Sequence, residues 1–265
     1  MKVKAILEPT VILLAKTEFT PAGERYLEEF YGDAYNEEDF MPDEASLIQL
    51  AGRKCYNAHG RKNPETAENE GYIANLLSQH HYSPLEHVSF TFLIQGVSRS
   101  LTHELVRHRH FSFSQESQRY VLAARDPEIV VPPAMLKLEV DGNKAADFPQ
   151  EKFDALMTEH FGYTYDCVRG SYDLLREQGL SHKEAAEAAR FETPNGDATQ
   201  IVVTGNARSW MEFIEKRDAD GADAEIRRLA KVIGEILAWE LPEVFNEDAK
   251  KLWSGKSEQK AVKHG

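Results

Sequence analysis

The chain has 265 residues and a formal net charge of −13, with 42% hydrophobic and 28% charged residues. That length supports a proper core, and that balance is ordinary for a soluble globular protein but argues against a general nucleic-acid binder, which needs a basic face to neutralise phosphates. No apolar run reaches transmembrane length, and two cysteines, Cys55 and Cys167, are too few for a disulfide scaffold, so no membrane and a reduced, cytoplasmic setting are expected.

The short apolar stretch at the N-terminus is broken by Glu8 and Pro9 and suits a strand, not a signal peptide. Val11 to Ala15 reads as a strand. Gly23 to Phe40, acidic and aromatic without a clean period, reads as an excursion or a short helix. Asp43 is a good N-cap for a helix from Glu44 to about Tyr56, and Pro64 can open a second running to about His80. After the Ser83-Pro84 break, Val88 to Val97 alternates as a strand with Phe90, Phe92 and Ile94 on one face. Ser98 or Ser100 then caps a helix through Leu101, Leu105 and His108, and Phe111 to Gln118 follows as a polar loop. Tyr120 to Ala123 and Glu128 to Val131 read as short strands, and Asp141-Gly142-Asn143 as a turn.

A long helix is predicted from about Pro149 to Gln178, ended by Gly179. Ser181 caps the next, with Glu184 in the capping-box position. Thr199 to Thr204 is a β-branched strand. Helices are expected over Ala207–Lys216 and Ala222–Trp239, the latter with Ile226, Leu229, Ile233 and Leu237 as its core stripe. The chain from about residue 253 is a polar, mobile tail. Strands and helices mix without strict alternation, which predicts an α+β fold: a mixed sheet flanked by long helices, in a single compact catalytic domain over 1–265.

Three clusters carry the chemistry. Arg107 to Arg119 reads RHRHFSFSQESQR, with three arginines, two histidines, three serines, two glutamines and one glutamate. A local cationic cluster in so acidic a chain points to an anionic ligand, because guanidinium forks match phosphate and carboxylate oxygens two at a time. The plainer reading pairs these arginines with some of the 44 acidic residues. His103, His108 and His110 suggest a metal only weakly, since they share no helical face and the arginines repel a cation. The second cluster is His80-His81-Tyr82-Ser83-Pro84-Leu85-Glu86-His87, which also reads as a capped turn. The third runs from Lys216-Arg217-Asp218 through Glu225-Ile226-Arg227-Arg228, where Glu225 and Arg228 could form an ordinary exposed pair.

In this order the clusters resemble the flavin-dependent thymidylate synthases. The signature of that family is RHR, seven residues of any type, then Ser, found here as Arg107-His108-Arg109, His110 to Glu116, and Ser117. The segment at His81 to His87, the THELVRHRH helix and the distal IVVTGNARSW and EIRRLA segments share the likeness, which spans about Ala51 to Ala230. The resemblance implies a homotetramer with active sites shared between subunits. FAD would be the cofactor, with NADPH and methylenetetrahydrofolate as co-substrates and dUMP as the substrate methylated to dTMP. It assigns Ser83, Arg107, His108, Arg109, Gln115, Lys216, Arg217 and Asp218 to FAD. Glu104, Leu105, Val106, Arg107 and Gln115, Glu116, Ser117, Gln118 and Arg119 line the dUMP site. Arg227 matches the arginine that favours ionisation of the uracil N3, and His81 a histidine near flavin and folate, so that Arg227, Ser117 and His81 carry the catalytic expectation.

At Gln200, where the family often has an arginine for the nucleotide, the amide can hydrogen-bond but cannot neutralise a phosphate. Two other readings use the same residues. One is a non-catalytic nucleotide-binding module. The other is a metal-dependent hydrolase built on His103, His108 and His110.

Overall fold

A computed structural model describes residues 1–31, 43–57, 64–66, 68–140 and 142–254. In chain order its strands are β1 (Lys4–Ile6), β2 (Thr10–Lys16), β3 (Ser89–Ser98), β4 (Ser112–Gln115), β5 (Glu128–Val130), β6 (Glu139–Val140), β7 (Asn143–Lys144) and β8 (Ala198–Asn206). The helices are α1 (Pro21–Tyr31), α2 (Glu44–Cys55), α3 (Asn69–Ser78), α4 (Arg99–Leu105), α5 (Gln150–Glu177), α6 (His182–Ala189), α7 (Ala207–Arg217), α8 (Ala224–Glu240), α9 (Pro242–Phe245) and α10 (Glu247–Trp253). A four-stranded sheet has the order β2-β3-β8-β4, while β1 pairs with β5 in parallel and β6 with β7 antiparallel. The fold is α+β, as the unalternating element order predicts.

By compactness the chain divides into two units. The first comprises Met1–Ile12, Leu93–Val203 and Asp223–Leu229, the second Leu13–Phe92, Thr204–Ala222 and Ala230–Gly265. Four of the five boundaries fall inside β2, β3, β8 and α8, so there the chain changes unit within continuous elements; the fifth, between Ala222 and Asp223, lies between α7 and α8.

The first unit is built on α5, which packs against β1 and α6. Its core gathers Val3, Ala5, Ile129, Val131, Phe153, Met157, Tyr165, Val168 and Ala189. α6 starts with a complete capping box: Ser181 accepts from the Glu184 backbone N–H, and the Glu184 carboxylate accepts from the Ser181 N–H. The second unit centres on Trp210, fully buried, with Phe92 and Phe213 edge-on at 5.0 and 5.7 Å. Its indole N–H donates to the carbonyl of Gly205 at 3.1 Å, so the buried polar atom is satisfied. Phe90 and Phe92 point inward on alternate positions of β3, each contributing about 1.5–3 kcal/mol of burial.

Several expectations need correction. The polar stretch read as a loop contains β4, which joins the sheet beside β8; its side chains alternate between exposed and half-buried, the pattern of a strand with little core to cover. Tyr120–Ala123 is a turn and not a strand, because the N–H groups of Tyr120 and Val121 both donate to the Ser117 carbonyl. The helix expected from Pro64 begins as a 3-10 turn over Pro64–Thr66, and α3 proper starts at Asn69. The helix expected to reach His108 ends at Leu105, leaving Arg107–Arg109 just beyond it. The acidic stretch opens as α1; residues 32–40, Asp141 of the expected turn, and the tail from 255 lie outside the described residues.

Candidate functional site

In the first unit the signature segment is held by three elements. The N-cap of α4 is Ser98, whose Oγ accepts from the Leu101 N–H. Ser98 is itself gripped by Glu225 at the start of α8: the carboxylate accepts from the Ser98 N–H at 2.8 Å and from its hydroxyl at 2.6 Å. Glu225 therefore serves α4 and does not pair with Arg228. Arg228 instead meets Glu8 at 3.0 Å and donates to the Leu7 carbonyl.

Beyond α4, Arg107 and Arg109 are exposed and make no ion pair with any described residue. In a chain of net charge −13 this is a specific outcome, since mobile guanidinium groups readily find carboxylates. Between them, His108 is half-buried and lies 5.9 Å from the Phe111 ring. Glu104 is half-buried, Val106 exposed, and Leu105 fully buried in the core.

The next residues are fixed by protein partners. Gln115 donates to Thr102 Oγ1 at 3.2 Å. The Glu116 N–H donates to the Gln200 carbonyl, its own carbonyl accepts from Arg99 Nη2 at 2.9 Å, and its carboxylate accepts from Gln200 Nε2 at 2.9 Å. Gln200 Oε1 accepts in turn from Gln95, so this amide is engaged at both ends. Gln118 donates to Asp197 Oδ2 at 2.9 Å. Ser117, by contrast, is half-buried, and its hydroxyl has only a long contact among the described residues, from the Arg119 N–H at 3.4 Å.

α6 braces the end of the segment. Arg119 lies 3.6 Å from Glu187, and its guanidinium stands 5.6 Å from the centre of the Tyr120 ring. His182 Nε2 faces the Tyr120 carbonyl at 2.9 Å and so carries the proton, while Nδ1 accepts from the Tyr172 hydroxyl at 2.7 Å. Arg227 is half-buried on the first turn of α8.

In the second unit, His81 and Ser83 line a cleft of about 330 Å³ with Cys55, Tyr56, His80, Tyr82 and Arg208. His80 adopts a left-handed φ of 57° and its Nδ1 lies 2.7 Å from the Tyr82 hydroxyl, an arrangement that closes α3 and turns the chain into the histidine cluster. Arg208 donates to Glu86 at 2.6 Å, which ties α7 to the same turn. Burial raises the Tyr82 phenol above its ordinary range, so it remains a donor. Lys216, Arg217 and Asp218 close α7, with Lys216 beside Glu212 and Asp218 as the C-cap.

Sequence reasoning passed over Asp197, Arg99, Tyr165 and Arg208. Arg208 stood in a segment already singled out, and Asp197 is a lone acid between a Pro-Asn-Gly turn and a β-branched strand. Among the described residues no group of three His, Cys, Asp or Glu could hold a metal ion, and no helix is long and apolar enough to cross a membrane.

The family model described as thymidylate synthase complementing protein matches residues 38–243. A flavin-dependent thymidylate synthase of Mycobacterium bovis is 42% identical over 206 residues, covering 76% of this chain and 78% of that protein. The chain belongs to the flavin-dependent thymidylate synthase family. Another relative of that name, from Mycolicibacterium gilvum, is 41% identical over 240 residues, covering 89% of this chain and 88% of its own. Two solved structures share the fold. The UMP/dUMP methylase PolB of Streptomyces cacaoi, bound with 5-Br UMP, has a TM-score of 0.63 at 21% identity, covering 96% of this chain and 98% of its own. Thymidylate synthase X of Helicobacter pylori, with FAD and dUMP, has a TM-score of 0.58 at 23% identity, covering 92% of this chain and all of its own.

Proposed function

We propose that this chain is a methyltransferase that converts dUMP to dTMP, with FAD as its cofactor, methylenetetrahydrofolate as one-carbon donor and NADPH as reductant. The observation that carries this reading is the pair Arg107 and Arg109, exposed beyond α4 with no described carboxylate on them, inside a complete RHR-x7-S signature. Two exposed guanidiniums are what a phosphate-bearing ligand requires.

The donor set fits a flavin dinucleotide. In the first unit Arg107, Arg109 and the half-buried His108 offer cationic and ring partners; in the second, the cleft with His81 and Ser83 offers small polar donors. That cleft, about 330 Å³, is near the lower end of ligand pockets, roughly 300–1,000 Å³, and suits part of such a molecule. When bound, FAD supplies the hydride chemistry that no side chain of the protein offers. The residues bind and orient. Gln115 and Lys216 to Asp218 belong with the cofactor, while Glu104 to Arg107, Gln115 to Arg119 and Gln200 belong with the nucleotide. Ser117 orients the nucleotide by hydrogen bonding, His81 stands near flavin and folate, and Arg227 stabilises negative charge developing at the uracil N3. No protein nucleophile is needed, in keeping with an exposed Cys55 and a half-buried Cys167 outside the signature.

The chain acts as one catalytic domain, since neither unit is a continuous stretch of sequence. It assembles as a homotetramer in the cytoplasm, with active sites shared between subunits. A dUMP methylation assay with NADPH, FAD and methylenetetrahydrofolate, each omitted in turn, tests the function. dTMP formation that needs every component is expected, and its absence from a flavin-replete sample would overturn the reading.

A further inference from the structure

The first turn of α8 is fastened along one flank. The Glu225 carboxylate gives each of its oxygens a separate donor on Ser98, the N–H at 2.8 Å and the hydroxyl at 2.6 Å. Ser98 is 3% exposed and caps α4, so this grip is on a rigid, buried point and not on a mobile surface chain. Arg228 forms a second anchor, on the Leu7 carbonyl and on Glu8 at 3.0 Å. Asp223 starts the turn: its carboxylate accepts from the Glu225 N–H at 2.9 Å and its carbonyl from the Arg227 N–H at 3.0 Å. Ile226 is fully buried, and Arg227 half-buried.

Successive residues of a helix turn by about 100°, so Glu225 and Arg228 stand about 60° apart, and Arg227 about 100–160° round from them. The anchors hold one flank of the turn and Arg227 leaves from another. Two fixed points on one flank oppose rotation about the helix axis. A slip of about 10° moves a group about 6 Å from that axis by about 1 Å. A misplacement of that size costs an oriented catalytic group up to about a hundredfold in rate.

We propose that Glu225, seated on Ser98, is a positioning residue: with Arg228 as the second anchor it fixes the rotation of the first turn of α8, and so the direction in which Arg227 presents its guanidinium to the uracil N3. The inference rests on the proposed function, which gives Arg227 that role, and names what keeps the group aligned. A glutamine at 225 keeps one acceptor oxygen and turns a donating NH2 toward a donor of Ser98. One of the two bonds is lost, and the turn is freed to rotate.

The test is a double-mutant cycle on the flavin-loaded full-length protein, read first as kcat for dTMP formation. Glu225→Gln is expected to lower kcat about tenfold and Arg227→Ala about a hundredfold. The double variant should be no slower than Arg227→Ala alone, because the anchor then has nothing left to aim. A purely structural role would make the two losses multiply. The second readout is calorimetric titration with dUMP from about pH 7.5 to 9. A guanidinium that favours the N3 anion lowers the pH at which the bound ring gives up its proton, so affinity rises with pH. That rise is expected in wild type, absent in Arg227→Ala and mostly lost in Glu225→Gln. Arg228→Met removes the other anchor and supplies an arm that does not depend on the Glu225 variant folding; its cycle with Arg227→Ala is judged by the same criterion. Losses that multiply overturn the inference, as does a Glu225→Gln protein with wild-type kcat and pH slope. A wild-type protein that forms no dTMP, or an Arg227→Ala variant with full turnover, refutes the proposed function or the role given there to Arg227 instead, before any cycle is closed.

Discussion

Arg99 donates from Nη2 to the carbonyl of Glu116 at 2.9 Å, although 17 residues separate them. One guanidinium thus joins the first turn of α4 to the middle of the signature segment, and its Nε is buried with no hydrogen-bond partner. Burial lowers the pKa of Arg99, while Asp197 and Glu116 counteract that by favouring the charged form. Replacing Arg99 with Ala removes a charged donor and frees the Glu116 carbonyl. Denaturant titration is expected to show a loss of about 1.5–3 kcal/mol, together with a raised KM for dUMP. A variant with wild-type stability and KM would mean that the contact holds nothing in place.

Arg109 and Arg227 separate two roles. Arg109→Ala is expected to lose FAD, read as the ratio of flavin absorbance to protein absorbance after purification. Arg227→Ala is expected to keep flavin and lose turnover by about a hundredfold, the scale on which a group that stabilises developing charge contributes. If both variants keep wild-type rates and flavin content, the residue assignments fail even with the family intact.

Ser117→Ala should weaken dUMP binding and leave measurable activity. A hydroxyl that acts by hydrogen bonding contributes about 0.5–1.5 kcal/mol net, so the dissociation constant should rise by less than about fifteenfold. Full loss of chemistry with binding intact would instead identify a nucleophile.

The Asp197 carboxyl is pushed up to about 6, mainly by burial; hydrogen bonds from Tyr165 and Gln118 and the charge of Arg99 oppose the rise, while Glu116 adds to it. The native protein therefore binds more protons at this site than the unfolded chain between the ordinary aspartate pKa and about 6. In that window the contribution to stability is present at low pH and is lost as pH rises through the native value. Urea midpoints of wild type and Asp197→Asn, compared from pH 4.5 to 7.5, should converge or cross, with wild type gaining on the variant as the solution is acidified. Parallel curves would show that Asp197 titrates normally.

The fold was legible wherever one period dominated. β3 follows the alternation of Phe90, Phe92 and Ile94, all fully buried, and α5 starts within a residue of its expected Pro149 boundary. The capping box at Ser181 was readable because both partners are local in sequence. β4 was not, since its residues are polar and its strand character comes from pairing beside β8, a long-range fact. In the site, the cationic cluster was visible from charge, and the signature from its resemblance to a known family. Their supports were not. Arg99, Tyr165 and Asp197 lie far apart in sequence, and nothing local in their neighbourhoods reveals that they converge on one segment.

The interleaving of the two units sets a condition on biosynthesis. The first is missing a piece of α8 until Leu229 has left the ribosome, and the second waits for still later residues. Neither half is available as an early, self-sufficient nucleus during translation, so hydrophobic strands such as β3 must stay protected until most of the polypeptide has emerged. A single cut anywhere between Leu13 and Leu229 would leave no fragment carrying a whole unit, so gene fusion or shuffling must keep that stretch intact.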